Sequence, residues 1–184
     1  MSIWIGGSRK DLIGTTNHVQ DVWYHVVGTY DGSYMRVYVN GTEENSVAQT
    51  GAIDTTTAKL ILGSWDSVGF SLDGDLSNCA IWNTALTSLQ VREVYNEGRP
   101  SNLHNFSGTA PVAWWQLGEN SSFNGNDWIC ADEIGSNNGE SDGMGVDALT
   151  DGVGTTANDN TGDPLRTAFI QINDNFTELY VEPS

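Results

Sequence analysis

Apolar and polar residues alternate most clearly between Trp23 and Gly41, in WYHVVGTYDGSYMRVYVNG. Residues 23–30 are nearly all aromatic, β-branched or small, the composition of a strand packed on both faces. Asp31-Gly32-Ser33 predicts a turn, because Asp and Gly tolerate the positive φ of tight hairpins. Over residues 34–39 the pattern has period two, with Met35, Val37 and Val39 on one side and Tyr34, Arg36 and Tyr38 on the other. Asn40-Gly41 is a strong hairpin signal and predicts a third strand over residues 42–50.

The flanking segments are shorter. Residues 2–5 (SIWI) predict a strand ending at Gly6-Gly7, and residues 11–19 a more polar one. Residues 51–57 read as a polar loop. The apolar run KLILG, 59–63, predicts a buried strand, and residues 76–82 another after turns at Asp66-Ser67 and Asp73-Gly74-Asp75. The period then changes. Leu86, Leu89, Val91, Val94 and Tyr95 recur at helical spacing, with Thr84 or Thr87 as the cap and Gly98 before Pro100 as the stop. Residues 112–117 predict a strand carrying Trp114-Trp115, of which alternation places one in the core. A Gly/Asn/Ser-rich excursion follows, anchored by Trp128, Ile129 and Ile134. Residues 151–163 have a linker's composition. Residues 164–181 form a predicted helix whose Leu165, Ala168, Phe169, Ile172, Phe176 and Leu179 make one apolar stripe. Alone in water such a helix is marginal, so the stripe calls for a partner. The expected organisation is a β-domain at 1–100, an extension packed on it at 101–150, the linker, and an oligomerisation or attachment helix.

Composition sharpens this picture. Twenty-one glycines and seven Lys plus Arg in 184 residues favour a turn-rich β protein. A formal charge of −17 opposes nucleic acid as a partner, since that affinity comes from cations on phosphates, and opposes anionic membranes for the same reason. No apolar window is long enough for a membrane span, and no signal-peptide pattern opens the chain. Cys79 and Cys130 lack metal-ligand spacing, and a small buried thiol is the expected role of Cys79. Sequons at Asn40, Asn105, Asn120 and Asn175 arise by chance in a chain so rich in Asn, Ser and Thr.

Two resemblances follow from these motifs. WYHVVGTYDGSYMRVYVNG, KLILGSWD and SLDGDLSNCAIWNTALTSLQVREVYNEG, in this order, resemble the second half of a laminin-G-like or concanavalin A-like jelly roll. The resemblance implies antiparallel sheets packed face to face and a short helix after the last strand. The family's opening half has no counterpart here, so an open sheet face is expected unless partner strands or residues 111–149 cover it. GTTANDNTGDPLRTAFIQINDNFTELY resembles a motif of fibre, baseplate and other virion proteins of tailed phages, and WWQLGEN…D-x-IGSNNG resembles an extension found in phage structural proteins. These imply a virion surface protein, partnered by other virion proteins and by copies of itself, with three parallel copies favoured.

Glycoside hydrolases of the resembled fold use an E-x-D-x-x-E carboxylate set, because acid and nucleophile must flank one bond at fixed separation. No such set occurs, and Glu43-Glu44 point to opposite faces of a regular strand. His18, His25 and His104 lack partners at catalytic or metal spacing, so no enzyme activity is expected. No cofactor is required. Calcium is a candidate through Asp66, Asp73 and Asp75, hard oxygen ligands around two turns, although the same residues serve as turn caps. Trp65 beside Asp66 is the best candidate for stacking on a host-surface glycan, an apolar ring next to a polar acceptor. The alternative is an assembly or decoration protein that binds no sugar.

Overall fold

The computed structural model describes residues 1–63, 72, 74–118 and 120–141. They form a mainly β protein whose named strands pair antiparallel, with one short α-helix. The described residues fall into two compact units, one of residues 1–60 and 82–111 and the other of residues 61–63, 72, 74–81, 112–118 and 120–141.

In the first unit β1 (Ser2–Ile5) pairs with β2 (Ser8–Asp11) as a hairpin. A three-stranded meander follows: β3 (Val26–Tyr30), β4 (Tyr34–Val39) and β5 (Thr42–Ala48). Both expected turns are present for the expected reasons. Asp31 Oδ1 accepts the backbone N–H groups of Ser33 and Tyr34 at 2.8 and 2.7 Å. Asn40 and Gly41 take φ of 49° and 75°, the pair of left-handed residues that a two-residue hairpin turn needs. Gly41 is also required by contact, because a Cβ there would lie 2.8 Å from the Tyr95 ring.

The meander is covered on both faces within this unit. Met35 and Val37 pack with Leu12, Met1, Ile3 and Tyr30. On the other face Tyr38 is buried and its hydroxyl lies 3.3 Å from Ser88 Oγ of α1 (Ser88–Tyr95). His25, just before β3, is buried and stacks on Tyr95 with ring centroids 5.6 Å apart. Met35 is 0 % and Tyr38 1 % exposed, so the open sheet face expected from the missing half of the family pattern is not found on this meander. The first turn of α1 is closed by a capping box, with Thr87 accepting from Gln90 N and Gln90 reaching back to Thr87 N. Its end is set by Asn96 in the left-handed region rather than by Gly98, since Asn also adopts that conformation at low cost.

Two strand expectations fail here. Residues 12–19 carry no strand, because the partner of β1 is the polar segment Ser8–Asp11, whose outward residues need no apolar character. Residues 59–62 carry none either, and Leu60 and Ile61 are exposed, so this apolar run buries little.

In the second unit β6 (Cys79–Ile81) pairs with β7 (Ala113–Trp115), and the Gly/Asn-rich excursion forms a small sheet of β8 (Ser122–Phe123), β9 (Trp128–Cys130) and β10 (Gly139–Glu140) in the order β10-β9-β8. Trp114 and Trp115 are both buried, one more than alternation alone places in the core. Alternation still sends them to opposite sides, but both sides of β7 are covered. Trp114 Nε1 donates to Asn78 Oδ1 at 3.3 Å and Trp115 Nε1 to the Asn137 carbonyl at 2.8 Å. No helix among the described residues is long and apolar enough to cross a membrane.

The hub of this unit is Asp132. Its carboxylate accepts the N–H groups of Trp114 (3.0 Å), Ile134 (3.1 Å) and Asn137 (3.1 Å), and the Asn137 side-chain amide at 3.2 Å. The D-x-IGSNNG stretch is thereby wrapped around one carboxylate and tied to β7. A Cβ at Gly135 would lie 2.8 Å from Asp132 Oδ2, so a side chain there would have to displace the carboxylate.

Candidate functional site

Of the residues proposed from sequence for glycan and calcium, Trp65, Asp66 and Asp73 lie outside the described residues, as does the whole stripe Leu165, Ala168, Phe169, Ile172, Phe176 and Leu179. Asp75 is described. It is exposed beside the buried Leu76, and partial burial pushes its carboxyl above the usual carboxylate range. Among the described residues no group of three His, Cys, Asp or Glu side chains is gathered as a metal would need.

Several of the described titratable groups are engaged in structure. A bulge in the β4–β5 ladder, between Val37 and Tyr38, leaves Glu44 out of the pairing. Its carboxylate turns to residues 14–16, accepting from the Thr15 and Thr16 N–H groups at 2.8 and 3.2 Å and from the Thr16 hydroxyl. That hydroxyl bond, followed by the backbone bonds, lowers the Glu44 carboxyl. Arg36 bonds Asp31 at 2.6 Å and lies 5.0 Å over the Tyr34 ring. The Asp31 carboxyl, held by Arg36 and then by Tyr34 and Ser33 N–H, falls to about 2. Cys79 and Cys130 are buried and not bonded to each other, and burial pushes the Cys130 thiol up, away from the thiolate that a nucleophile needs. His18 packs edge-on against Tyr24, with ring centroids 4.9 Å apart.

Sequence reasoning passed over Trp4. The register sets Ser2 opposite Asp11 and Trp4 opposite Arg9, so these four side chains share the outer face of the β1–β2 hairpin, while Ile3 faces the meander. Trp4 is 52 % exposed. Arg9 Nε and Ser2 Oγ both donate to Asp11 Oδ1, at 2.7 and 2.5 Å, and these two bonds lower the Asp11 carboxyl. Asp54 secures the hairpin turn, accepting Gly6 and Gly7 N–H at 2.8 and 2.7 Å, while its own N–H donates to the Trp4 carbonyl at 2.8 Å. The signal was present in SIWI-GG-SRKD: once the Gly-Gly turn pairs the two halves, alternation puts Trp4 with Arg9 and Asp11 on the polar face.

Comparison with known proteins agrees with this architecture. A stretch of 86 residues, 45% of this chain, is 28% identical to pappalysin-1 of Mus musculus, and the match spans 5% of that protein's length. No solved structure gives a significant match. Residues 1–92 match the laminin G-type family described as the concanavalin A-like lectin/glucanases superfamily. Half of the chain, including the β1–β2 hairpin, the meander and most of α1, lies within that match, and the chain belongs to the concanavalin A-like lectin/glucanases superfamily.

Proposed function

We propose that the chain is a non-enzymatic structural protein of a tailed-phage particle, exposed on the virion, whose lectin-family domain attaches to glycans on the host surface. The observation that carries the glycan half is membership of a lectin superfamily over residues 1–92, in a chain without the hydrolase carboxylate set. The virion half rests on GTTANDNTGDPLRTAFIQINDNFTELY and on the apolar stripe Leu165, Ala168, Phe169, Ile172, Phe176 and Leu179, which joins three copies or docks on neighbouring virion proteins. Trp65 supplies the stacking ring and Asp66 an acceptor for sugar hydroxyls. Trp65→Ala is expected to weaken retention on the preferred glycan at least tenfold, about 1.4 kcal/mol. Unchanged retention removes Trp65 from the site. A second reading, an assembly or decoration element that binds no sugar, is favoured by the same apolar stripe in the sequence. Light scattering on the whole chain examines that feature, which both readings share: three chains per particle are expected, and a monomer contradicts the helical seam.

Calcium joins this proposal through Asp66, Asp73 and Asp75. The raised carboxyl of Asp75 supports it, because partial burial without a counter-charge is a cost that a cation would relieve. A ligand of the native state must stabilise it, by about 2.7 kcal/mol at a hundredfold excess over Kd. Calcium is therefore expected to raise the melting temperature of wild type and to have no effect on Asp66→Asn or Asp75→Asn. A wild-type melting curve indifferent to calcium ends this proposal.

A further inference from the structure

The outer face of the β1–β2 hairpin presents an aromatic ring beside an ion pair on a fixed support. The support is tied at three places. The N-terminal amine donates to the Leu12 carbonyl at 2.7 Å, the Leu12 N–H to the Met1 carbonyl at 2.8 Å, and Asp54 clamps the Gly6-Gly7 turn. A ring so mounted loses little freedom when a ligand covers it.

We propose that this face is a binding site for a neutral hexose, with the sugar's C–H face stacked on Trp4 and a hydroxyl donating to Asp11. The exposed indole offers apolar area that water solvates poorly, and one face of a pyranose ring supplies matching C–H groups. Ser2 Oγ and Arg9 Nε both donate to Asp11 Oδ1, and Asp11 Oδ2 is the acceptor assigned to the sugar hydroxyl. Size argues for a small ligand. Two paired four-residue strands span roughly 13 Å by 10 Å, about the footprint of one or two sugar rings. A protein partner needs about 800 Å² on each side, several times more. Charge argues for a neutral one. Asp11 pairs with Arg9, and a chain of formal charge −17 repels anionic sugars.

This inference rests on the reading of the chain as a glycan-binding protein, but it places a site apart from Trp65. The test is a ¹H–¹⁵N titration of the whole chain with methyl glucoside, galactoside and mannoside, and with N-acetylneuraminic acid as the anionic probe. The Trp4 indole N–H is assigned by its disappearance in Trp4→Ala. At least one neutral hexoside should shift that signal saturably below about 100 mM, the range of weak single-site affinity. Asp11→Asn, which keeps the ring, should weaken the response at least threefold, and Trp65→Ala should leave it in place. A Trp4 signal that ignores every neutral hexoside, or that follows the acid as strongly, overturns the proposal. If Trp4 is silent while a glycan array still retains the chain, the proposed function stands and this site falls. Silence in both experiments removes both.

Discussion

Trp114→Ala is expected to lower the unfolding free energy by about 4 kcal/mol, within the range for deleting a buried aromatic side chain. Trp114 is among the largest fully buried side chains, 2 % exposed, and its indole N–H is the donor to Asn78 Oδ1. Truncation opens a cavity and removes a hydrogen bond from an amide that is itself buried. Asn78 sits at φ 54° with its N–H on the Gln116 carbonyl, so it is poorly placed to find another partner. Urea unfolding followed by near-ultraviolet circular dichroism measures the loss. Trp4→Ala is the control, because an exposed ring should change stability by no more than about 0.5 kcal/mol. A Trp114→Ala midpoint equal to that of Trp4→Ala would mean that β7 is not covered on both sides.

The second large effect belongs to Asp132. Asp132→Ala removes the acceptor of three backbone bonds and one side-chain bond at a residue only 7 % exposed. The stranded donors should cost about 3 kcal/mol or more, even though each bond alone contributes only about 1 kcal/mol net. Asp132→Asn, which keeps one acceptor oxygen, should lose clearly less. The carboxyl also imposes a pH dependence. Burial opposes its charge, but the N–H groups of Trp114, Gly135, Ile134 and Asn137 outweigh burial and lower the pKa below 3.8. A depressed folded-state pKa means that this contribution is present above pH 3.8 and is lost as pH falls from there through the folded value. The stability difference between wild type and Asp132→Asn should therefore shrink below about pH 4. A difference that stays constant down to pH 2 contradicts the carboxylate's role as acceptor.

The parts of the fold legible in the sequence are those governed by local chemistry. Asp31-Gly32, Asn40-Gly41 and the Thr87–Gln90 cap act through their own backbone and need no distant partner. Period two in residues 34–39 survives because the two faces of β4 meet different partners, α1 on one side and the hairpin on the other. What depended on tertiary contact was not legible. KLILG reads as a strand by hydropathy, yet among the described residues no pairing partner brings residues 59–62 into a sheet. SRKD reads as a loop by hydropathy, yet the Gly6-Gly7 turn pairs it with SIWI. The bulge at Val37/Tyr38 turned Glu44 into a cap for residues 14–16, which two adjacent glutamates on a regular strand do not foretell. Asp132 shows the same limit most strongly. Its donors lie two to eighteen residues away, and only the fold gathers them around one carboxylate. The C-terminal stripe and Trp65 were chosen from sequence alone and lie outside the described residues.

The central claim is that this lectin-superfamily chain holds a carbohydrate. A glycan array probed with the whole wild-type chain at physiological salt tests it most directly, because copies joined through the C-terminal stripe would convert weak single-site affinity into measurable retention. The account predicts retention on at least one neutral glycan and none on the anionic members. Absence of retention on every glycan, by a chain shown folded in the same buffer, contradicts it.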